Sequence, residues 1–474
     1  MITVDIFAQQ TVLVVGLARS GLAAVRALTA GQATVVSWDD AADRRDVAAA
    51  AGASLLPPAD MPWNIAAALI LSPGIPHTHP EPHPAAQLAQ QHDVEIIGDI
   101  ELLVRAMPSA KIIAITGTNG KSTTTALLGH VLSDAGEEVA VGGNLGIAAL
   151  DLPVLNHQGF YVLELSSYQL ELTPSLACRA ACLLNISADH LERHGGMAGY
   201  IAAKQRIFNN LRADGLAVIG TDGPTCMGLA DSLRSAGRRV RSITGSAAES
   251  AVAAAARDHL NVQHGQLQWH HHGSCKAIFD LTKAAALPGE HNAQNAAAVA
   301  AIALDLGITA EAIAAGLIGF AGLAHRQERV AVINEIAYIN DSKATNADAA
   351  ARALACYAPI YWIAGGRAKT DGIAPLKTYF ERIRHAYLIG EAAADFAASL
   401  SATTPYSITS NLADAVHEAH QLAQGEALPG ATVLLAPAAA SFDQFDSFET
   451  RGDQFRGQVK QLAQASRLTT EVRP

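Results

Sequence analysis

The chain has 474 residues, of which 50% are hydrophobic and 16% charged, and its 33 basic and 44 acidic side chains leave a net charge of −11. At roughly 150 residues per domain, that length suggests about three domains, and the acidic balance argues against a nucleic-acid partner. No apolar run approaches the ~18 residues that would cross a bilayer, the first ten residues lack the pattern of a signal peptide, and five scattered cysteines fit a reducing cytoplasm.

The N-terminal stretch opens with Thr11-Val-Leu-Val-Val-Gly16, a strand that ends in glycine. A helical pattern through Leu22, Val25 and Leu28 follows, then a second strand near 33–37. Strands alternating with helices predict a parallel sheet. Gly16-Leu-Ala-Arg-Ser-Gly21 resembles a dinucleotide-binding turn, but Ala18 replaces the glycine that lets backbone approach a pyrophosphate. Arg19 and Ser20 are candidate phosphate contacts. Asp39 and Asp40 follow the second strand at the distance of a ribose-binding acid. A nucleotide domain and a purely structural Rossmann-like turn both stand at this point. The proline-studded run 72–84 reads as a surface loop, and its three histidines as loop residues.

The central region carries the strongest signal. Lys111-Ile-Ile-Ala-Ile115 is a buried-strand pattern that feeds Thr116-Gly-Thr-Asn-Gly-Lys-Ser122, and a helix follows at once. This is the layout of a phosphate-binding loop, with backbone N–H groups, a lysine and a hydroxyl that can reach a divalent cation. Gly117 is the first glycine, so the loop is shorter than the usual Walker pattern. Glu164 ends the strand predicted over 160–165, at the edge where ligands bind in parallel sheets, and is a candidate Mg²⁺ ligand. Asp189-His190 follows a strand predicted over 181–186. Lys204, on the next helix, reads by itself as a solvated lysine. Cys178 and Cys182 read as buried thiols rather than a zinc pair. Residues 263–279 look like a hairpin, with Trp269-His-His-His272 on a polar face. His291-Asn-Ala-Gln-Asn295 reads as an N-cap run ahead of an alanine-rich helix.

A third region starts near 322, with strands predicted over 331–339, 360–364, 386–389 and 432–435. Three strand ends carry polar loops: Asn340-Asp-Ser-Lys-Ala-Thr-Asn346, Gly365-Gly-Arg-Ala-Lys369 and Ala436-Pro-Ala-Ala-Ala-Ser-Phe-Asp-Gln-Phe445. Loops at successive strand ends suggest one crevice.

Taken together, these segments resemble the Mur ligase family. The short loop 116–122 looks like that family's own phosphate loop. Gly142-Gly-Asn-Leu-Gly146, Glu164-Leu-Ser-Ser-Tyr-Gln169, Asp189-His-Leu-Glu-Arg193, His291–Asn295 and His325-Arg326 follow in the family's order, and the 340–346 and 441–445 loops look like its D-glutamate-adding member. Ala324 stands where the family often has proline. The resemblance implies an α/β chain of three domains: a Rossmann-like domain (1–94) for a UDP-linked substrate, a central P-loop ATPase-like domain (95–321), and a Rossmann-like amino-acid-binding domain (322–474). It implies an ATP-dependent ligase of peptidoglycan precursor synthesis, cytoplasmic and monomeric. Its substrates would be UDP-N-acetylmuramoyl-L-alanine and D-glutamate, with two Mg²⁺ ions for which Mn²⁺ can substitute.

The implied roles are specific. Gly117, Thr118, Asn119, Gly120, Lys121, Ser122 and Thr123 would bind ATP with Asn295, Arg326 and Asp341. Arg19, Ser20, Asp39, Asp40, Ser72, Gly74, Asn144 and Ser166 would hold the UDP substrate. Lys343, Thr345, Lys369, Ser441 and the Phe448 backbone would hold D-glutamate. Ser122, Glu164, His190 and an N-carboxylated Lys204 would hold metal, and Lys121, His190 and Lys204 would be catalytic. Outside that reading stand a nicotinamide oxidoreductase built on the Gly16 turn, against which Ala18 argues, and a non-catalytic nucleotide-binding scaffold. Folate-polyglutamate ligase, within the family, is disfavoured by the 340–346 loop.

Overall fold

The computed structural model describes residues 1–245, 258–271, 273–284, 286–368, 372–400 and 404–471. They form two compact units, one of residues 1–284 with 290–320, the other of 285–289 with 321–474. The first unit holds two sheets. β1 (Thr11–Val15), β2 (Thr34–Trp38), β3 (Ser54–Leu55), β4 (Ala66–Leu71) and β5 (Ile96–Ile97) make a parallel sheet in the order β3-β2-β1-β4-β5. Order reverses at β1, so the Gly16 turn opens at a switch point, where ligands bind in such sheets.

The second sheet has nine strands among the described residues: β6 (Lys111–Thr116), β7 (Val139–Gly143), β8 (Phe160–Glu164), β9 (Ala180–Leu183), β10 (Leu216–Gly220), β11 (Arg239–Ile243), β12 (His259–Gln263), β13 (Gln266–His271) and β14 (Ser274–Asp280). Their order is β14-β13-β12-β11-β10-β9-β6-β8-β7, with β13 antiparallel to its neighbours β12 and β14. β6 again marks a switch point, flanked by β8 and β9. β9 ends at Leu183, earlier than its sequence pattern suggests, which leaves Asn185 in a loop. One core cluster, including Val14, Leu28, Ile70, Ile100, Leu163 and Ile219, runs beneath both sheets.

The second unit is a six-stranded sheet of β15 (Glu328–Ile333), β16 (Ile336–Asn340), β17 (Ile360–Gly365), β18 (Ile383–Ile389), β19 (Tyr406–Ile408) and β20 (Thr432–Leu435), in the order β15-β16-β20-β17-β18-β19. Along β17, Ile360, Trp362 and Ala364 belong to one core cluster and Tyr361 and Ile363 to another, so the sheet is covered on both faces. The single strand predicted over 331–339 is instead a hairpin. Asn334 and Glu335 turn it at φ +49° and +67°, and a two-residue turn of that hand suits the strand twist.

All five cysteines are free thiols, with Cys178 and Cys182 buried. No helix among the described residues is long and apolar enough to cross a membrane. His270 lies on β13 and stacks on His259 with ring centroids 4.3 Å apart, as a polar strand face would; His272 lies outside the described residues.

At the first turn, a Cβ on Gly21 would collide with the Gly16 carbonyl oxygen, a backbone atom that cannot step aside. Gly21→Ala should therefore cost roughly 1–3 kcal/mol through overpacking. A thermal melt should show the first unit's transition lowered by several degrees, and an unchanged melt would mean that the turn relaxes freely.

Candidate active site

The phosphate loop is built by its neighbours as much as by its own residues. Gly120, just before the helix Lys121–Asp134, has φ +84°, and a Cβ there would collide with Asn295 Oδ1. Only glycine satisfies both conditions. Asn185 splints the loop from β9's side. Its carbonyl accepts from Thr118 N (2.9 Å), its Oδ1 accepts from Asn119 N (2.9 Å), and its Nδ2 donates to Asn119 O (3.2 Å) and Gln294 Oε1 (3.0 Å). Asn295 is buried, accepts from Thr124 Oγ1 (3.1 Å) and donates to Asn292 Oδ1 (3.0 Å). The run 291–295 thus lies inside the helix Glu290–Asp305 rather than capping it. Its amides reach Thr124 of the helix after the loop, through Asn295, and Asn185 and Asp222, through Gln294.

Two lysines converge on one atom. Lys121 Nζ donates to the carbonyls of Gly117 and Thr118, both at 2.9 Å, and Lys204 Nζ donates to the same Gly117 carbonyl at 2.9 Å. Lys204 is 2% exposed, which overturns its reading as a solvated side chain. It sits 4.7 Å from the Tyr200 ring centroid, and Tyr200 Oη meets Thr118 Oγ1 at 3.1 Å. Burial, with the Lys121 charge added, holds the Lys204 amine well below the usual lysine range, though Asp189 and Glu164 pull the other way.

Glu164, at the end of β8, is 2% exposed. Its Oε1 accepts from Asn144 Nδ2, whereas Oε2 is buried with no donor among the described residues. A buried carboxylate oxygen without a donor is costly unless a cation meets it, so the site fits a divalent ion. Ser122, at the helix start, is also buried. His190 has φ +52°, its Nε2 lies 3.4 Å from Asp189 Oδ2, and its ring is 5.2 Å from Tyr168. No group of three His, Cys, Asp or Glu gathers as a ready-made metal cage among the described residues.

A cleft of about 430 Å³ opens at the Gly16 turn. Arg19, Ser20, Asp39, Ser72, Gly74 and Asn144, all singled out in the sequence, line it, and so do Arg44 and Gln169, which were not. The Asp39 carboxylate is committed to the loop. It accepts from Leu17 N (2.6 Å) and Ala41 N (2.9 Å), with Arg44 at 3.5 Å. Partial burial would raise its pKa, but these donors outweigh it and hold the group below the usual carboxylate range. Asp40 is exposed and falls outside the cleft lining. Ser166 caps the short helix Ser167–Glu171, accepting from Gln169 N.

In the second unit, the three polar loops leave β16, β20 and β17, which are adjacent strands. The buried Arg451 guanidinium ties them together, donating to Ser342 Oγ (3.0 Å), Ser342 O (2.9 Å), Ala439 O (3.2 Å) and Gly365 O (3.4 Å). Burial lowers its pKa to about 10. Lys343 Nζ lies 3.8 Å above the Phe448 ring, and Ser342 Oγ donates to Phe448 O at 2.8 Å. Phe448 opens the long helix Phe448–Glu471, and Ser441 is buried. Asp341 Oδ1 accepts from Gln327 N (3.2 Å), and burial pushes its carboxyl up to about 7. Thr345 N donates to Lys343 O (2.8 Å). Arg326, two residues before the first residue of β15, belongs to this unit, and Lys369 lies outside the described residues.

Asn185, Gln294, Tyr200, Arg44 and Gln169 were not singled out as site residues in the sequence. Gln169 and Gln294 lie inside the recognised segments 164–169 and 291–295, Asn185 fell within the strand predicted over 181–186, and nothing local marked Arg44 or Tyr200.

Comparison with known proteins agrees with this geometry. The Mur ligase middle domain model matches residues 115–303, and the model described as Mur ligase, glutamate ligase domain matches residues 325–439. A protein of Paramagnetospirillum magneticum named UDP-N-acetylmuramoylalanine--D-glutamate ligase is 50% identical over 98% of this chain and 99% of its own. One of the same name from Caulobacter vibrioides is 47% identical over 98% of each. Among solved structures, MurF from Acinetobacter baumannii aligns with a TM-score of 0.58 at 18% identity, covering 94% of this chain and 93% of its own, which speaks to fold alone. UDP-N-acetylmuramate-alanine ligase MurC from Thermotoga maritima aligns with 0.55 at 16% identity, over 95% and 99%. With both domain models matched and near-full-length relatives at this identity, the chain belongs to the Mur ligase family.

Proposed function

We infer that this protein is an ATP-dependent, ADP-forming ligase that joins D-glutamate to UDP-N-acetylmuramoyl-L-alanine in peptidoglycan precursor synthesis. The observation that carries the reading is identity near 50% along almost the whole chain with relatives named for that reaction. The phosphate loop and the buried lysine beside it supply the chemistry such a reaction needs.

A carboxylate is a poor electrophile, so the alanyl carboxylate oxygen first attacks the γ-phosphorus of ATP. The bond to the β–γ bridging oxygen breaks, ADP leaves, and an acyl phosphate forms. The uncharged amine of D-glutamate then adds to the acyl carbon, phosphate departs, and the nitrogen loses its extra proton. Lys121 would turn from the Gly117 and Thr118 carbonyls to the phosphates and stabilise charge that develops as the γ-phosphoryl group moves. The N–H groups of residues 117–123 would cradle the nucleotide, with Asn295 behind the loop, and Arg326 and Asp341 are further candidate nucleotide contacts. The Gly16 cleft would take the UDP moiety through Arg19, Ser20, Ser72, Gly74 and Asn144. Lys343, Thr345, Lys369, Ser441 and the N–H end of the Phe448 helix would take the D-glutamate carboxylates.

Ser122 and Glu164 would hold one Mg²⁺, and His190 with a modified Lys204 a second, with Mn²⁺ as an alternative. When bound, these ions would screen the negative charge of the phosphate oxygens. An ammonium cannot ligate a cation. A neutral Lys204 amine can attack CO₂ through its nitrogen lone pair, lose a proton, and become a carbamate with ligating oxygens. Its depressed pKa supports that reading, because the attack requires the neutral amine. Monomeric, cytoplasmic operation belongs to the same proposal.

Phosphate release should require ATP, Mg²⁺, UDP-N-acetylmuramoyl-L-alanine and D-glutamate together. Preference for L-glutamate, L-lysine or diaminopimelate would reject the substrate assignment. Lys121→Ala should lower turnover by about 100-fold or more, and near-normal turnover would remove the loop from the chemistry.

Carbamylation should appear as a ¹³C carbamate resonance after incubation with labelled bicarbonate. Lys204→Ala should lose activity that short carboxylic acids partly restore. An unmodified lysine mass in native protein, together with no rescue, would refute it.

Burial pushes the Asp341 carboxyl up to about 7 in the folded state, above the 3.8 of a solvated aspartate, so the folded state binds the proton more tightly. Its stabilising effect relative to the ionised form is present below pH ~4 and fades as pH rises toward about 7. Asp341→Asn should flatten that decline in thermal melts between pH 4 and 8, and parallel pH profiles for variant and parent would contradict the shift.

A further inference from the structure

His194 is a buried titratable group that the ligation mechanism leaves unused. It ends the short 3-10 helix Leu191–His194, and its side chain is fully buried. The imidazole sits between two residues of one neighbouring helix, Ser167 and Glu171, whose spacing of four puts them on one face. Nδ1 lies 3.1 Å from Glu171 Oε1, and Nε2 lies 2.9 Å from Ser167 Oγ. A carboxylate only accepts, so Nδ1 carries the proton in this network. Glu171 Oε2 is buried with no donor among the described residues, which makes the histidine this carboxylate's anchor.

The order Ser–His–Glu is that of a nucleophilic triad. Ser167, however, is 3% exposed and out of a substrate's reach. The geometry points elsewhere, to the rings on either side. Tyr168 stacks on His194 at 5.3 Å and 21°, and Tyr200 meets it at 5.4 Å and 51°. Tyr168 also meets His190 at 5.2 Å, while Tyr200 carries Lys204 Nζ at 4.7 Å and bonds Thr118 Oγ1 at 3.1 Å. The two candidate ligands of the second cation thus rest on two tyrosines with one imidazole packed between them. Hydrogen bonds at both ends stop that imidazole from rotating.

We propose that His194, held by Glu171 and Ser167, is a positioning residue that sets His190 and Lys204 for the second divalent cation through Tyr168 and Tyr200. The inference rests on the proposed function, which supplies the second cation and its two ligands. Its prediction concerns metal affinity as well as turnover, because ligand placement tens of picometres to an ångström off is enough to weaken a metal site.

The test is Mn²⁺ binding, followed by electron paramagnetic resonance with a non-hydrolysable ATP analogue, alongside steady-state ligation. His194→Phe keeps a flat ring and loses both hydrogen bonds, Glu171→Leu removes the acceptor, and Glu171→Gln keeps an acceptor oxygen. The first two should weaken Mn²⁺ binding fivefold or more and raise the half-maximal Mg²⁺ concentration, with KM for the UDP substrate within twofold of the parent. Glu171→Gln should restore Mn²⁺ binding to within twofold. Unchanged Mn²⁺ binding in His194→Phe and Glu171→Leu would overturn the proposal. So would equal weakening in Glu171→Gln, or the failure of both disruptive variants to fold, which would make the network merely structural. If the parent and its variants show the Mn²⁺ pattern but the parent does not ligate D-glutamate, the ligase assignment falls and the positioning role stands.

Discussion

The Gly117 carbonyl is the atom on which the glycine loop turns, because Lys121 and Lys204 both donate to it. Two ammonium groups on one oxygen in a buried place repel each other, and the more buried of the two is the one pressed toward neutrality. Lys204 is that one, packed against Tyr200 with 2% exposure. Lys121 stays at the loop, on the Gly117 and Thr118 carbonyls. Under the proposed function the two lysines would then do different chemistry, Lys121 as a charged partner for phosphate and Lys204 as a nucleophilic amine, and burial is the larger reason for the difference. That division depends on the loop's shape, which Gly120 permits and Asn185 braces.

Much of this was legible in the residues alone. The strands that carry the phosphate loop and Glu164 are apolar runs ending in polar residues, and buried parallel strands have that pattern. The loop itself was visible because its function needs particular residue types at fixed spacing. Lys204 was not, since nothing local in the helix Met197–Gln205 marks one lysine as buried; its environment comes from Tyr200 and from a loop over 80 residues earlier. The hairpin at Asn334-Glu335 escaped for another reason. Glutamate is an unusual residue at φ +67°, so the turn lacks the Asn-Gly signature that would have broken the predicted strand. Gln169 and Arg44 became cleft residues only when folding joined segments that the chain keeps apart.

The second unit solves a different problem, which is to hold three loops of neighbouring strands in one arrangement. Arg451 does so through carbonyls and a hydroxyl, acceptors that carry no formal charge. Burial of an arginine in this way is costly, and the lowered pKa expresses that cost. Breaking one loop's contact leaves the guanidinium less satisfied, so the loops are energetically coupled.

Arginines also fasten the first unit's two sheets. Arg26 pairs with Asp151 at 2.7 Å, Arg19 donates to the carbonyls of Asn144 and Gly146, and Arg193 reaches the carbonyls of Pro73, Ile75 and His79. The walls of the Gly16 cleft come from both sheets and are held by these bonds before any ligand arrives. The conformational entropy of ordering those walls is thus lost when the chain folds, not when it binds. A nucleotide-sized guest entering the cleft keeps more of its contact energy as affinity, and fragments of that guest should already recognise the empty groove.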